Sequence, residues 1–174
     1  MFKLFGISLL EILMVLFLAA IIAAFSIPSF EKTFEHAKQK TVSESLLSAI
    51  NFARNEAIVR SGTVTLCHSE DQKTCHGDWS AGYLVLMKNQ VLFSFQNKKN
   101  QDVLHWRAFP YYLDHLEFLA SGKPNFQNGT FWYCPEHTKN PVWAIVMNQL
   151  GRTRLVYPDD SNVIVDDNGK ILTC

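Results

Sequence analysis

Two arginines separated by one residue, Arg152 and Arg154, follow Gly151 near the C-terminus. In a β-strand, side chains two positions apart point to the same face at a spacing of roughly 7 Å. Phosphates along one nucleic-acid strand have comparable spacing, so the two guanidinium groups can bind adjacent phosphates. Gly151 allows the backbone to turn and to approach a polyanion closely. The residues Gly-Arg-Thr-Arg therefore indicate a local site for a phosphate backbone.

Any such site has to be local, because sixteen basic residues balance sixteen acidic ones and the net charge is +0. Side chains that extend the site are expected among Gln149, Lys139, Arg107 and Lys98-Lys99. The alternative is a surface strand with two solvated arginines, neutralised by the neighbouring Asp159 and Asp160.

The four cysteines, Cys67, Cys75, Cys134 and Cys174, form an even set. Two of them precede histidines, in Cys67-His68 and Cys75-His76, but adjacent Cys-His pairs without a CxxC spacing fit no common zinc pattern. We expect no metal site and a Cys67–Cys75 disulfide that closes a short polar loop. Cys134 and Cys174 can then tie the last residue to an earlier strand, although other pairings remain open.

Catalysis has no support in the sequence. None of the six histidines belongs to a recognisable nucleophile or metal motif, and we expect neither an enzyme nor a cofactor. The acidic pairs at residues 159–160 and 166–167 lack the D-x-D-x-D-G spacing of a calcium loop and are interpreted as solvated turn residues.

The most unusual charge is Glu11, which interrupts an apolar run at residues 7–27. At about 1.5 Å per residue, a helix of this length crosses a bilayer core of roughly 30 Å. A secretory signal peptide, cleaved near Ala23, Ala24 or Ser26, and a plain membrane anchor are the alternatives. A carboxylate inside such a run is costly to bury, which points to a function.

The position of Glu11 resembles that in type IV prepilins, because the short basic leader MFKLFG ends in Gly6 and Glu11 is the fifth residue after it. The resemblance implies cleavage after Gly6 by a prepilin peptidase and N-methylation of Ile7. It also implies that the new amino group of an incoming subunit pairs with the Glu11 carboxylate of its neighbour, which offsets the desolvation of both. Ile7 is a departure, since Phe is commoner at this position.

The elements that position these residues follow from periodicity. Apolar residues recur every three to four positions beyond Pro28, which predicts that the helix continues with an amphipathic half and stops at Gly62. The apolar positions are Phe30, Phe34, Ala37, Val42, Leu46, Ile50, Ala53 and Ala57. Short β-type runs follow at residues 63–67, 82–87, 91–95, 103–106, 116–119, 130–134, 142–147 and 153–157, with a hairpin turn at Asn89-Gln90.

No helical crossover separates these runs, so antiparallel sheets are expected. The fold class is therefore α+β, with a long N-terminal helix packed on antiparallel sheets. We divide the chain into a leader (1–6), a transmembrane half of the helix (7–28), an amphipathic half (29–61) and a globular β domain with a C-terminal tail (62–174).

Several stretches resemble minor pilins and pseudopilins of the FimT/GspH group: ARNEAIVRSGTVTLC, DWSAGYLVL after Cys75, TFWYC, and the strand that leads into LGRTR. In the FimT branch a GRxR signature is associated with DNA binding during natural transformation. Carried over, it falls on Gly151, Arg152 and Arg154. The resemblance implies DNA, other pilin subunits, the prepilin peptidase and the inner membrane as partners. It also implies single-pass insertion before assembly into a pilus. A structural or assembly-priming minor pilin, or a type II secretion pseudopilin, is the alternative.

Overall fold

A single long helix precedes eight β-strands in the computed structural model, which describes residues 8–97, 101–166 and 169–174, without the side chains of residues 23–32. The helix α1 covers Leu9–Val59 and continues through Pro28. The strands are β1 (Val64–His68), β2 (Gly82–Met87), β3 (Gln90–Gln96), β4 (Val103–Phe109), β5 (His115–Phe118), β6 (Asn128–Cys134), β7 (Trp143–Met147) and β8 (Thr153–Val156). Each predicted β-run corresponds to one strand, with ends that differ by a few residues.

The chain divides into two compact units, the first ending at Thr41 and the second beginning at Val42. In the first unit, the apolar side chains of α1 from Leu9 to Leu18 are exposed to solvent. Phe34 and Ala37, expected on the buried face of the amphipathic half, are exposed as well. Among the described residues, no helix combines the length and the apolar character needed to cross a membrane.

The second unit is built around the C-terminal part of α1. One apolar face of the helix, carrying Val42, Leu46, Ile50, Ala53 and Ala57, is buried in a single core with residues of both sheets. These positions follow the three-to-four-residue spacing of one helical face, as the sequence predicts. The core also includes Tyr83, Leu116, Phe118, Phe131, Tyr133, Trp143 and Ile145.

The helix ends in a hydrogen-bonded cap at Ser61 rather than at Gly62. Ser61 has a φ of 50°, and the backbone N–H groups of Ser61 and Gly62 donate to the carbonyl oxygens of Ile58 (3.2 Å) and Ala57 (3.1 Å). This is the Schellman pattern, which satisfies carbonyls that the last turn of the helix leaves without partners.

The strands form two antiparallel four-stranded sheets, in the orders β3-β2-β1-β5 and β4-β6-β7-β8. The hairpin between β2 and β3 turns at Lys88-Asn89, so the expected turn at Asn89-Gln90 was wrong by one residue. Both Lys88 and Asn89 have positive φ (48° and 67°), as a two-residue hairpin turn of the primed type requires, and Gln90 already pairs with Met87.

The C-terminal tail covers the face of the second sheet that points away from the main core. Ile164 and Leu172 pack there on Ala144, with Trp132 and Val156 partly buried beside them. The indole Nε1 of Trp132 donates to the carbonyl oxygen of Thr173 at 3.0 Å. The tail therefore has a small apolar core of its own, which its Asp- and Asn-rich sequence did not suggest.

Candidate nucleic-acid interface

Arg154 lies in β8, the edge strand of the second sheet, and Arg152 immediately precedes this strand. Both side chains are exposed, whereas their neighbours Thr153 and Leu155 are half-buried. Because side chains alternate along a strand, the two guanidinium groups project from the same side. Among the described strands, β8 pairs with β7 alone and therefore lies at the edge of the sheet.

The turn that leads into β8 is organised by Asn148. The backbone N–H of Gly151 donates to the Asn148 carbonyl oxygen (2.9 Å), which closes a four-residue turn. The Asn148 side-chain oxygen accepts from the N–H groups of Leu150 and Arg152, both at 3.0 Å. Asn148 therefore sets the backbone direction at Arg152. Asn at the first position and Gly at the fourth are typical of such turns, so a signal for Asn148 was present in the sequence and missed.

Gly151 is buried and has a φ of 75°, which favours glycine. A Cβ atom at this position would lie 3.0 Å from Cδ of Pro124, so the loop before β6 packs directly against it. The Gly151 carbonyl oxygen accepts a hydrogen bond from the Arg54 guanidinium of α1 at 3.2 Å. Two parts of the sequence signature, the helix end around Arg54 and the Gly-Arg-Thr-Arg segment, are thus in contact.

A cavity of about 320 Å³ lies beside this turn, between residues 119–126 and residues 149–150. Lys123, Phe126, Gln149 and Leu150 line it. Gln149, expected to extend the site, is therefore next to the arginine turn. Lys123 is exposed and adds a cation that sequence reasoning missed, because it belongs to a loop 29 residues before Arg152.

The other expected extensions lie elsewhere. Arg107 of β4 is at the opposite edge of the sheet, roughly three strand spacings or 14 Å from Arg154. Its guanidinium pairs with the buried Asp166 at 2.5 Å and lies 5.4 Å from the centroid of Trp132, so it fixes the tail. Lys139 is exposed near the C-terminus, where its carbonyl oxygen accepts from the N–H of Cys174. Lys98 and Lys99 lie outside the described residues.

Asp159, considered as a neutralising partner of the arginines, has a role in its own turn. Its carboxylate accepts the backbone N–H groups of Ser161 and Val163, at 3.0 and 3.1 Å. Asp159 is therefore a turn residue, as the sequence suggested. Asp166, also expected to be a solvated turn residue, is instead buried.

The cysteines form two disulfides, Cys67–Cys75 and Cys134–Cys174. The first closes a loop in which the backbone N–H groups of Thr74 and Lys73 donate to Asp71 and hold the pKa of its carboxyl well below its usual range. The second ties the tail to β6. Within the described part of the chain, no group of three or more His, Cys, Asp or Glu residues is placed to hold a metal ion.

Of the three residues expected to direct processing, Gly6, Ile7 and Glu11, the structure describes only Glu11. Gly6 and Ile7 lie outside the described residues. Glu11 is in the first turn of α1, where the partial positive charge of the helix terminus favours a carboxylate, and it lies beside Ile12, Val15 and Leu16.

The family model described as "Type II transport protein GspH" matches residues 42–151, more than half of the chain. The chain belongs to the GspH family. The matched segment begins with the buried face of α1 and ends at Gly151, so it contains the contact between Arg54 and Gly151. Pilin and pseudopilin families consist of structural subunits.

Two crystal structures of the type IV minor pilin FimU from Pseudomonas aeruginosa are similar to this GspH-family chain at 20% sequence identity. The match to the crystal structure in space group P21 has a TM-score of 0.54 and covers 70% of this chain and 90% of the FimU chain. The match to the crystal structure in P65 has a TM-score of 0.51 and covers 67% of this chain and 91% of the FimU chain. A comparison with curated proteins gives no match. The likeness establishes the type IV pilin fold that the sequence predicted, and the family places the chain in a pilus or in the cell envelope.

Proposed function

We propose that this GspH-family chain is a minor type IV pilin that binds extracellular DNA without sequence preference during natural transformation. The observation that carries the proposal is the pair of exposed arginines, Arg152 and Arg154, where the chain enters an edge strand from a turn held by Asn148 and Arg54. Two or three phosphate contacts carry no information about base sequence, so binding is weak for one subunit. Several copies in one filament raise the avidity.

The N-terminal segment supports an assembly route through the inner membrane. The apolar run covers residues 7–27, and the structure describes its side chains from residue 8 to residue 22. Those apolar side chains of α1 are exposed, so they need lipid or other helices around them. We infer single-pass insertion, cleavage between Gly6 and Ile7 by a prepilin peptidase, and packing of α1 against other subunits. Glu11 then pairs with the new amino group of a neighbour.

The test is a titration of fluorescent DNA with the full-length chain in detergent, repeated over a range of salt concentrations. The parent is expected to bind unrelated DNA sequences equally and weakly at low salt. Each lost arginine is expected to flatten the slope of log K against log salt by about 0.9 for duplex DNA. Arg152→Gln combined with Arg154→Gln is expected to abolish binding.

Two variants make this titration specific. Arg60→Gln removes another exposed arginine, which pairs with Glu56 on α1, and is expected to bind DNA as the parent does. Lysine at positions 152 and 154 is expected to restore binding only in part, because an ammonium group cannot make the bidentate phosphate contact. Parental binding by the double glutamine variant would place the site elsewhere.

The alternative is a pilin or pseudopilin without a ligand, and the words "type II transport" in the family description favour a secretion pseudopilin in particular. This alternative predicts no DNA binding by the parent even at low ionic strength. It also predicts that the double glutamine variant leaves transformation unchanged while the chain still assembles with other subunits.

A further inference from the structure

Phe126 combines an exposed aromatic side chain with a positive φ angle, and neither feature stabilises the fold. It is 87% exposed, although aromatic side chains stabilise a fold chiefly by burial. Its φ is 54°, in the left-handed region that bulky residues other than glycine avoid. Backbone strain of this kind persists only where surrounding contacts hold the residue, and it is concentrated at functional sites.

The contacts that hold Phe126 come from its neighbours in the chain. Its N–H donates to the Pro124 carbonyl oxygen at 2.9 Å. The Asn125 side chain donates to the Glu117 carboxylate (2.9 Å), and the buried Gln127 side chain accepts from the Glu117 N–H (2.7 Å). The residues on either side are thus fixed to β5, and the aromatic ring is left projecting into solvent.

The loop that carries Phe126 is packed against the arginine turn. Pro124 contacts Gly151, and Phe126 lines the 320 Å³ cavity together with Lys123, Gln149 and Leu150. That volume is at the lower end of the roughly 300–1,000 Å³ typical of small-ligand pockets. The ring, the apolar side chain of Leu150, the amide of Gln149 and the Lys123 ammonium therefore line one cavity, next to the turn that leads to Arg152.

We propose that this cavity receives an unpaired nucleobase, so that the site prefers single-stranded DNA to duplex. The base stacks on the Phe126 ring and contacts Leu150, while Lys123, Arg152 and Arg154 bind the flanking phosphates. In a duplex the base faces are already occupied by neighbouring bases, so the ring has nothing to stack on. This inference rests on the proposed function and adds to it the class of DNA that the site binds.

The experiment measures dissociation constants by fluorescence anisotropy, with the full-length chain in detergent. The probes are a labelled oligothymidine and a fully paired blunt duplex of mixed sequence and equal length. The expected result for the parent is tighter binding of the single strand. Phe126→Asn removes the ring and keeps a residue that tolerates positive φ, so the loop is retained. This variant is expected to weaken single-strand binding on the order of tenfold and to leave duplex binding within about twofold.

Two control variants test whether the change in affinity comes from loss of the aromatic ring in this cavity. Phe126→Tyr keeps an aromatic ring and is expected to keep the preference. Tyr112→Asn removes another exposed aromatic, which does not line this cavity, and is expected to change neither constant. Thermal unfolding of Phe126→Asn is expected to match or exceed that of the parent, because the strain is relieved.

The possible outcomes are distinct. Equal affinity of the parent for the two probes, or unchanged single-strand binding by Phe126→Asn, overturns the stacking inference. If Arg152→Gln with Arg154→Gln still abolishes binding in that case, the proposed function stands. If Phe126→Asn binds DNA normally but is lost from assembled pili, the surface is a contact between subunits, which also overturns the inference.

Discussion

The backbone positions of Arg152 and Arg154 depend on two side chains outside the proposed phosphate site. Asn148 holds the backbone before Arg152 through two N–H groups, and Arg54 reaches across from α1 to the carbonyl oxygen of Gly151. Because the guanidinium groups sit on long side chains, the backbone beneath them has to be placed before they can act as a pair. Asn148 and Arg54 can each be tested by substitutions that leave Arg152 and Arg154 in place.

Replacing Asn148 with Ala is expected to destabilise the domain by about 1–2 kcal/mol, because two backbone N–H groups lose their acceptor. It is also expected to weaken DNA binding. Asn148→Asp keeps the acceptor oxygen and is expected to keep stability, while its negative charge beside Arg152 still weakens binding. Chemical denaturation and anisotropy measure the two effects. An Asn148→Asp variant that binds DNA as tightly as the parent would contradict a phosphate site at this turn.

Arg54→Met tests the link between helix and turn. It retains most of the apolar stem but removes the charged donor to Gly151, and a hydrogen bond to a charged group contributes about 1.5–3 kcal/mol. We expect a loss of stability toward the lower end of that range, since Arg54 is only half-buried. Arg60→Met, on the same helix, is the control and is expected to cost about 0.3–0.5 kcal/mol, as for an exposed helical ion pair. Equal effects of the two variants in denaturant unfolding would mean that the Gly151 contact contributes nothing.

At the scale of elements, the second sheet is covered on both faces. The main core covers one face, and the C-terminal tail covers the other through Ile164, Leu172 and the Arg107–Asp166 pair. Ile164 and Leu172 are the tail residues buried in this small cluster, so the Cys134–Cys174 disulfide adds a covalent link to β6 where packing is limited.

Removal of the second disulfide is expected to cost more than removal of the first. The two disulfides join cysteines separated by 40 and 8 residues. From chain entropy, Cys134–Cys174 is therefore expected to contribute about 1.4 kcal/mol more to stability than Cys67–Cys75. Each pair is replaced by alanines, and unfolding midpoints are compared. Both pairs are expected to be oxidised in native protein, which non-reducing peptide mapping checks. Free thiols that bind zinc stoichiometrically would contradict the disulfide interpretation.

At the scale of the whole molecule, the two units differ in how far their apolar side chains are exposed. The second unit has a buried apolar core, whereas the first exposes the apolar side chains of α1 near Glu11. A chain of zero net charge has little overall attraction for either a membrane surface or DNA, so both proposed interactions depend on local segments.

Processing of the N-terminus is the prediction at this scale. Intact-mass analysis of native protein is expected to show loss of MFKLFG and one added methyl group on Ile7. Glu11→Gln is expected to leave the chain in the membrane and to impair its incorporation into filaments, because the neighbouring amino group loses its partner. A native product that begins near Ser26 would mean an ordinary signal peptide.

Local patterns in the sequence were enough to determine the elements. The three-to-four-residue spacing of Leu46, Ile50, Ala53 and Ala57 predicted the buried face of α1, and alternation with turn residues located all eight strands. These predictions succeed because the period of a helix or a strand is visible within about ten residues. The same locality identified Gly151, Arg152 and Arg154 as one segment.

Only the tertiary structure decided what surrounds that segment. Arg54 is 97 residues from Gly151, and Phe126 belongs to a different loop, so no short-range pattern connects them to the arginines. Arg107, a plausible ligand residue by type, is instead bound to Asp166 at the far edge of the sheet. Side-chain type shows what a residue is able to bind, but its partners depend on packing between distant segments, which leaves no periodic trace in the sequence.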